Sequence, residues 1–572
     1  MKTISLRQSE PLTIIWKRFI PFWLVGLIPA YFVAGYLSNF YSSLFQYILL
    51  SLIFQIMCGL LSHLLIDETL AGQAFNWRTE WTAILVLCLA AALAIATTLL
   101  VWQFPTLFNR RILFMNSSLR IIFGMLALPS MAGSAVLMQR LQRSDLHNLL
   151  QKTSLWMFIQ RNLAGIILAL FFFFTYFTLT QCINFPGYDT VDRFFDTDIS
   201  EWLARLAFTT PDQFMARAVH PAILLFLRPL VELIAIFLRG DKFQAVFLLN
   251  SLTGASCVLL VWLIVKQISS NTPFSLIMAF LLGIGTPHLL LSSMIETYIY
   301  SAFALLLFVL LMQSNKTDLR YTIPVGILVF GITITNLIQT CILYVFKRPQ
   351  LKVILNYVVA ILAITLILNV IQIQIYPHSM AIYDPADLIF EQKYRVNLFE
   401  KTWMLPGRFL LMGRAILLYA IVAPKPFILT TEIGTTFPTF SVFKITIGEF
   451  HVAGYTGISD LTVKFWMLIL FVACVRFVWD LFKSPRQMSL PLAFVACMGF
   501  NLLLHTFWGD DPMLYSPDWA YAVVLFVAYA LQKWANNKWF QVTLTVLLCL
   551  IMSVNLNLIY LIMQTSLPFY GK

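Results

Sequence analysis

The chain has 572 residues, of which 60% are hydrophobic and 11% are charged, and its mean hydropathy is +0.82. Soluble proteins keep about 25% charged residues to cover their surface, so this composition excludes an ordinary soluble fold. The net charge of +12 does not indicate a nucleic-acid partner, because the lysines and arginines are scattered over short loops, as in membrane proteins. We therefore predict an all-α polytopic membrane protein in a lipid bilayer.

Hydrophobic segments of about 20 residues, the length that crosses a bilayer, recur along the whole chain. We predict about fifteen spans, centred near residues 25, 55, 92, 128, 169, 229, 254, 282, 305, 332, 363, 473, 499, 524 and 551. Basic segments near 140–161, 483–486 and 533–538 are typical of cytoplasmic loops. The resulting topology has one outer face that holds the acidic segments 188–220, 377–463 and 508–518. It also places Arg110, Arg111, Lys316 and Arg320 on that face, which conflicts with the positive-inside rule.

The loops divide the chain into four predicted parts. These are an N-terminal membrane module of four spans (1–150), a core (151–376) with an acidic first outer loop (181–220), an outer cap (377–463) and a C-terminal module of four spans (464–572). The apolar run 409–422 inside the cap carries Arg414 in its middle. We interpret this run as an interfacial or re-entrant helix rather than a span.

The acidic outer loop contains the clearest candidates for chemistry, which are Asp189, Asp192, Asp196 and Asp198. Asp196 and Asp198 are two residues apart, so their side chains point the same way in an extended segment. A carboxylate at the mouth of a membrane protein can accept a proton from a substrate hydroxyl. Two other interpretations stay open: the acids only keep the loop hydrated, or Asp198 is the N-cap of the amphipathic helix that starts at Ile199.

Polar residues beside later spans are candidates for the same cavity. His220 and Pro221 begin a predicted span, where proline suits the first helical turn, although a histidine at an interface is often structural. Glu296 begins another span. Arg228 and Glu232 are four residues apart in one span, so we expect them to pair on one helix face. Each of these groups must face protein or water rather than lipid.

The last outer loop contains Asp510, Asp511 and Tyr515. Two adjacent carboxylates could bind a hard cation through their oxygens, although Asp-Asp-Pro is also ordinary turn chemistry. The sequence contains no nucleotide-binding, serine-hydrolase or zinc-protease motif. We predict no cofactor, with a divalent metal ion at this loop as the alternative.

The order of these features resembles the GT-C class of membrane glycosyltransferases, which includes protein O-mannosyltransferases and aminoarabinose transferases. The shared features are one span, an acidic first outer loop with amphipathic helices, a His-Pro pair at the start of the next span, and many further spans. The resemblance covers about residues 154–562 and depends on short motifs. His220-Pro221-Ala222 departs from the His-Pro-Pro form of several branches, and the first four spans lie outside the shared core.

The resemblance implies an inverting glycosyltransferase of the bacterial plasma membrane that works on the outer face. The donor would be a sugar on a polyprenyl phosphate, and the acceptor a hydroxyl group of a lipid, glycan or protein. Asp198 or Asp196 would be the catalytic base. The implied substrate-binding residues are His220, Asp189, Glu296, Arg395, Arg408, Arg414, Asp510, Asp511 and Tyr515. The alternatives are a transporter or lipid flippase, in which Arg228, Glu232 and Glu296 line a path, and a membrane scaffold.

Overall fold

The computed structural model describes residues 12–41, 43–71, 80–108, 113–144, 149, 151–184, 190–208, 215–398, 400–429 and 438–569. Asp189, Arg110 and Arg111 lie outside these ranges. The structure is 77% helical, and the described strands form only two small antiparallel ribbons. This confirms the predicted all-α class.

The described residues form short and long α-helices along the whole chain. They are α1 (Leu12–Leu37), α2 (Leu44–Ala71), α3 (Trp81–Gln103), α4 (Ser117–Met125), α5 (Ala127–Arg143), α6 (Ser154–Ile183), α7 (Ile199–Ala207), α8 (Ile223–Phe237), α9 (Lys242–Ser269), α10 (Thr272–Ile284), α11 (Thr286–Leu291), α12 (Tyr298–Gln313), α13 (Leu319–Ile332), α14 (Asn336–Lys347), α15 (Leu351–Ile375), α16 (Pro385–Phe390), α17 (Leu405–Arg414), α18 (Ile458–Lys483), α19 (Ser489–Phe507), α20 (Pro512–Tyr515), α21 (Pro517–Leu531) and α22 (Lys538–Ser566).

Nine helices of the described residues are long and apolar enough to cross a membrane, or ten if the bent pair of α4 and α5 is one span. They are α1, α2, α3, α6, α9, α15, α18, α19 and α22. The apolar helices α10, α12 and α13 are shorter, with 13, 16 and 14 residues. The chain is therefore an integral multi-pass membrane protein.

The chain forms two compact units, which are Met1–Trp81 with Asn109–Leu163, and Thr82–Phe108 with Ala164–Lys572. This division differs from the predicted boundary at residue 150, because α3 belongs to the second unit. Within the first unit, α1 and α2 pack closely at glycines, since a Cβ atom at Gly26 would lie 2.5 Å from the carbonyl oxygen of Cys58. Small residues allow this close approach of membrane helices.

The helices of the second unit run between two ends of a bundle. At one end, Gln181 of α6 donates to Gln244 of α9 at 3.0 Å. At the other end, Asn271 donates to Asn536 at 2.7 Å. We call the first the acidic end, because Asp196, Asp198, Glu296 and Asp511 lie there, and the second the basic end. The basic end is defined by Lys266, Lys316, Arg320, Lys347, Arg348, Lys352, Lys483, Lys533 and Lys538.

The single span predicted near residue 332 is a hairpin of two short helices, α13 and α14. Arg348 forms an ion pair with Asp318 at 3.8 Å, so the start of α13 and the end of α14 both lie at the basic end. The turn between them lies at the acidic end. This additional crossing moves the loop with Lys316 and Arg320 to the basic end, so its predicted position beside the acidic loops was wrong. The conflict with the positive-inside rule is thereby removed for Lys316 and Arg320, whereas Arg110 and Arg111 lie outside the described residues.

The span predicted near residue 229 corresponds to α8, whose two ends both lie at the acidic end. The N–H of Leu224 donates to Gln372 Oε1 at 2.9 Å, near the C-terminal end of α15. Glu232 pairs with Lys242, the first residue of α9, at 2.5 Å. The side chains of Leu233 and Ile236 are exposed. A helix of 15 residues with this placement is an amphipathic helix along the acidic end rather than a span.

The apolar run 409–422, interpreted from the sequence as an interfacial or re-entrant helix, reaches the interior of the bundle. Helix α17 continues as a π-helical turn, Ala415–Tyr419. Beyond it, Asn555 of α22 donates to the carbonyl of Ile421 at 2.9 Å and accepts the N–H of Ala423 at 2.8 Å. The same amide donates to the carbonyl of Ile284 at 2.6 Å, at the break between α10 and α11. Irregular backbone inside a membrane bundle needs such partners.

The cap carries the only strands of the described residues. Strand β1 (Phe427–Leu429) pairs antiparallel with β2 (Thr439–Ser441), and β3 (Phe443–Thr446) pairs antiparallel with β4 (Glu449–Val452). Strand β2 is short and extends towards the acidic outer loop, so the cap reaches the candidate site.

Candidate functional site

The described part of the acidic outer loop, 190–198, is held by the backbone of strand β2. The N–H of Phe195 donates to the carbonyl of Phe440 at 2.9 Å, and the N–H of Phe440 donates to the carbonyl of Arg193 at 2.8 Å. Asp192, Phe195 and Asp196 have positive φ angles of 57°, 56° and 65°. Left-handed backbone is uncommon outside glycine and clusters at functional sites, where the surrounding structure must enforce it. The tertiary contacts with β2 supply that constraint.

Asp198 precedes α7, but its side chain makes no capping hydrogen bond. Its N–H instead donates to Glu296 Oε1 at 2.5 Å, and Glu296 Oε2 accepts the N–H of Thr297 at 2.9 Å. Within the described residues, the carboxylates of Asp198 and Asp196 have no hydrogen-bond partner. The sequence alternative in which Asp198 acts as a capping side chain is therefore not observed, and its carboxylate is available to a ligand.

Burial changes the acidity of this group of carboxyls. It raises the pKa of Asp196 to about 8, and the neighbouring charges of Asp510 and Asp511 act in the same direction. Burial also raises the pKa of Asp198, against the opposing effect of Arg205 and a smaller one of Arg217. The pKa of Glu296, which is 3% exposed, is raised by burial and by the charge of Asp198. Raised carboxyl pKa values in a cleft are typical of groups that accept and release protons.

Arg217 supplies a fixed cation beside Asp198. Its guanidinium binds the Glu391 carboxylate with two hydrogen bonds, of which the Nε to Oε1 bond is 3.1 Å. It also lies over the ring of Tyr394, 4.0 Å from the centroid. Its remaining nitrogen, Nη1, has no hydrogen-bond partner in the described part of the chain. A bidentate partner and an aromatic face fix the guanidinium while leaving one edge for an anion.

His220 is a buried neutral group rather than a second base. Its Nδ1 lies 2.5 Å from the carbonyl oxygen of Ile332, and its ring meets Trp202 edge-on at 5.4 Å. Burial lowers its pKa to about 3, and the charge of Arg217 adds to this effect. Gln372 donates to the His220 carbonyl at 3.2 Å. His220 therefore joins the start of α8 to the turn between α13 and α14.

Arg228 connects α8 to the helix that follows Asp198. It donates to the carbonyls of Arg205 and Phe208 at 2.6 and 3.0 Å, at the C-terminal end of α7. The predicted pair with Glu232 is present, but at 3.9 Å it is the weaker contact. A cation at a helix C-terminus is stabilising, so Arg228 fixes the position of α7.

The last outer loop contains two carboxylates with different environments. Asp511 is 2% exposed, and its oxygens accept the N–H of Met513 at 2.9 Å, the N–H of Val442 at 2.9 Å and the hydroxyl of Ser441 at 2.8 Å. Asp510 is exposed. Asp511 therefore ties the loop to the cap instead of presenting a free ligand pair with Asp510.

Tyr515 forms one wall of the acidic end with two other rings. Its ring stacks on His505 with centroids 4.4 Å apart and meets Tyr298 edge-on at 5.1 Å. A Cβ atom at Gly509, where φ is +85°, would lie 2.5 Å from the Tyr515 ring. Only glycine fits both that backbone angle and that space.

The three arginines predicted to bind phosphate have three different roles. Arg408 is 3% exposed and donates to backbone carbonyls of the 505–510 loop. Arg414 donates to the carbonyl of Ala453 at 3.1 Å. Arg395 is exposed, and its side chain has no partner among the described residues. Arg217, which the sequence did not predict, lies close enough to lower the pKa of Asp198, although the effect of Arg205 is larger.

Arg217 carries no sequence signal, because its partner Glu391 is 174 residues away and no motif surrounds either residue. For metal ions, the described residues contain no group of three or more histidine, cysteine, aspartate or glutamate side chains arranged to hold one. The site contains a partner-free carboxylate, a fixed guanidinium and a wall of aromatic rings. No protein-family model, curated protein or solved structure matches this chain.

Proposed function

We propose that this protein is an inverting glycosyltransferase that moves a sugar from a polyprenyl-phosphate donor to a hydroxyl acceptor. The observation that carries the proposal is the carboxylate of Asp198, which has no hydrogen-bond partner in the described residues and lies near the guanidinium of Arg217. Glu391 and Tyr394 hold that guanidinium in place. Sugar transfer from a phosphate needs both a proton acceptor and a cation for the leaving group.

In the proposed reaction, Asp198 takes the proton of the acceptor hydroxyl while that oxygen attacks the anomeric carbon. The bond between the anomeric carbon and the phosphate oxygen breaks on the opposite face, which inverts the configuration. The electron pair leaves with the phosphate, whose charge the free edge of Arg217 stabilises. Glu296 holds the backbone of Asp198, and Asp196 is near enough to Asp198, Asp510 and Asp511 for their charges to raise its pKa.

The membrane environment supports a lipid-linked donor. Helix α8 lies beside α7 and exposes the apolar side chains Leu230, Leu233, Ile236 and Phe237. Such a helix rests in the membrane interface, where a polyprenyl phosphate presents its headgroup. The lysines and arginines of the basic end favour the cytoplasm, which would put the acidic end on the outer face of a bacterial plasma membrane.

A transporter or lipid flippase is the second candidate, and broken helices are the observation that favours it. The pair α10 and α11 breaks at Gly285, and the α13–α14 hairpin turns beside His220. Transporters often bind their substrates where helices are discontinuous. The position of Asp198 favours the transferase, because its carboxylate lies at the acidic end of the bundle, whereas transporters bind their substrates and coupling ions near the middle of the membrane.

The test follows the leaving group, so it requires no knowledge of the acceptor. Purified protein in nanodiscs is incubated with a membrane extract of polyprenyl-phosphate sugars and a total extract of lipid and glycan acceptors. Mass spectrometry then measures the free polyprenyl phosphate. We expect the wild type to release it, and Asp198→Asn to release it about 10²–10⁴-fold more slowly because the proton acceptor is lost.

Asp192→Asn is the matched control. It makes the same charge change in the same loop, at an exposed position with a positive φ angle that asparagine tolerates. This variant should keep the wild-type rate. Equal rates for Asp198→Asn and the wild type would reject the assigned base. A donor that crosses the membrane of sealed vesicles unchanged would favour the flippase.

A further inference from the structure

One carboxyl group lies inside the helix bundle without a cationic partner. Asp518 is the second residue of α21 and is 2% exposed. Its Oδ1 is buried and has no hydrogen-bond partner, and no lysine or arginine of the described residues forms an ion pair with it. A lone charge at such a depth is costly, so membrane proteins rarely keep one without a function.

The side chains around Asp518 are neutral and form an ordered chain of hydrogen bonds. The Asp518 carboxylate is hydrogen-bonded by the side chains of Asn336 of α14 and Ser301 of α12, which are both neutral, while its Oδ1 has no partner. In the chain, each side chain donates to the next: Tyr521 to Gln339 at 2.9 Å, Gln339 to Asn336 at 2.7 Å, Asn336 to Ser301 at 2.8 Å and Ser301 to Thr333 at 3.2 Å. The chain crosses helices α21, α14 and α12 and ends beside the turn of the α13–α14 hairpin.

The titratable groups that face Asp518 do not balance its charge. Tyr298 lies near it on α12, and Tyr521 lies on its own helix. On α19, Cys497 contacts Tyr521, and the ring of His505 lies 5.4 Å from that of Trp519. From α14, the neutral side chain of Asn336 contacts Asp518. His505 forms no ion pair with Asp518 in the described part of the chain.

The N-terminus of α21 compensates only part of the charge. A helix N-terminus carries about half of an elementary positive charge, which favours an acid in the first turn. That stabilisation is greatest when the carboxylate accepts backbone N–H groups, but Oδ1 of Asp518 accepts none. Capping of the α21 N-terminus therefore does not provide a hydrogen-bond partner for Oδ1 of Asp518.

We propose that Asp518, Ser301 and Asn336 form a buried site for one monovalent cation, which is either a proton or a sodium ion. The free Oδ1 provides one ligand. The oxygens of Ser301 and Asn336 each accept one hydrogen bond within the chain and keep a second lone pair. Hard cations bind such carboxylate, amide and hydroxyl oxygens, and a proton needs only the free carboxylate oxygen. The bound charge neutralises the carboxylate and takes no part in the transfer reaction proposed above.

The test compares the thermal unfolding temperature of the wild type and Asp518→Asn in nanodiscs. One series varies pH in choline chloride, and a second replaces choline with sodium at one pH and constant ionic strength. The measured quantity is the difference between the two proteins, because other carboxyls also titrate. For a proton, the wild type should lose stability relative to Asp518→Asn as pH rises. For sodium, the wild type should gain stability relative to Asp518→Asn as sodium increases.

A difference that stays constant in both series would overturn the proposal. Asp480→Asn is the matched control, because Asp480 is also a buried carboxylate, 3% exposed, but pairs with Lys533 at 2.8 Å and Arg476 at 3.2 Å. Its neutralisation should lower the unfolding temperature and leave the response to pH and sodium as in the wild type. If Asp518→Asn behaves like Asp480→Asn, Asp518 is an ordinary structural carboxylate.

Discussion

Replacing Arg408 by methionine tests how the acidic end is held together. Arg408 is 3% exposed, and its guanidinium donates to the carbonyls of Thr506, Asp510 and His505 at 3.3, 2.8 and 3.0 Å, and also to that of Gly509. Methionine keeps the aliphatic volume but leaves these carbonyls without their donor. Hydrogen bonds to a charged group contribute about 1.5–3 kcal/mol each and are not additive. We expect the free energy of unfolding to fall by about 3–5 kcal/mol.

The assay is denaturant-induced unfolding in mixed micelles, followed by tryptophan fluorescence. Arg395→Met is the matched control, because Arg395 is an exposed arginine of the same cap, without a side-chain partner in the described residues. Its stability should stay within about 0.5 kcal/mol of the wild type. The reasoning is refuted if Arg408→Met is as stable as Arg395→Met and binds donor lipid less tightly. Arg408 would then be a phosphate ligand, as the sequence resemblance implies.

Two further predictions concern the acidic loop and the re-entrant segment. Because burial raises the pKa of Asp196 to about 8, the folded state binds this proton more tightly than the unfolded state. The wild type should therefore lose stability as pH rises from the ordinary carboxyl range through about 8, by up to about 1.4 kcal/mol per pH unit. Asp196→Asn should not show this loss when unfolding temperatures are measured over a pH series. A fall of the same size in Asp196→Asn would contradict the assignment. Asn555→Leu removes three hydrogen bonds at two helix breaks and should lower the free energy of unfolding by at least about 2 kcal/mol. Asn557→Leu, at an exposed position of the same helix, should have little effect, and equal losses in both variants would show that the breaks do not depend on this amide.

The predicted path of the chain was right where a hydrophobic segment meets a charged loop. It was wrong where the number of crossings was predicted only from the length of a hydrophobic segment. Helices α13 and α14 together are about as long as one generous span, so the sequence predicted one crossing. The ion pair of Arg348 with Asp318 shows two. Helix α8 has the hydrophobicity of a span, but its contacts with α15 and α9 keep both ends at the acidic end.

Some residues of the candidate site could be predicted from the sequence, whereas their partners could not. The acidic loop could be predicted as a candidate site because clustered carboxylates are unusual in so apolar a chain. In the structure, Asp196, Asp198 and Glu296 lie close to one another. Asp511 and Arg408 were also predicted as site residues, but they bind backbone groups and, for Asp511, the Ser441 hydroxyl, and no motif encodes these partners. Asp189 lies outside the described residues.

The sequence by itself determined that the protein is a helical membrane protein and that one of its loops has a cluster of carboxylates. Composition and hydropathy depend on residue type alone, and the bilayer imposes one length scale on every span. Only the tertiary structure decided which segments cross and which groups meet. Glu391 lies 174 residues from Arg217, and Asn555 lies 134 residues from Ile421, yet each pair is in contact. Such contacts depend on how helices pack, because small differences in packing decide which buried polar group finds which partner.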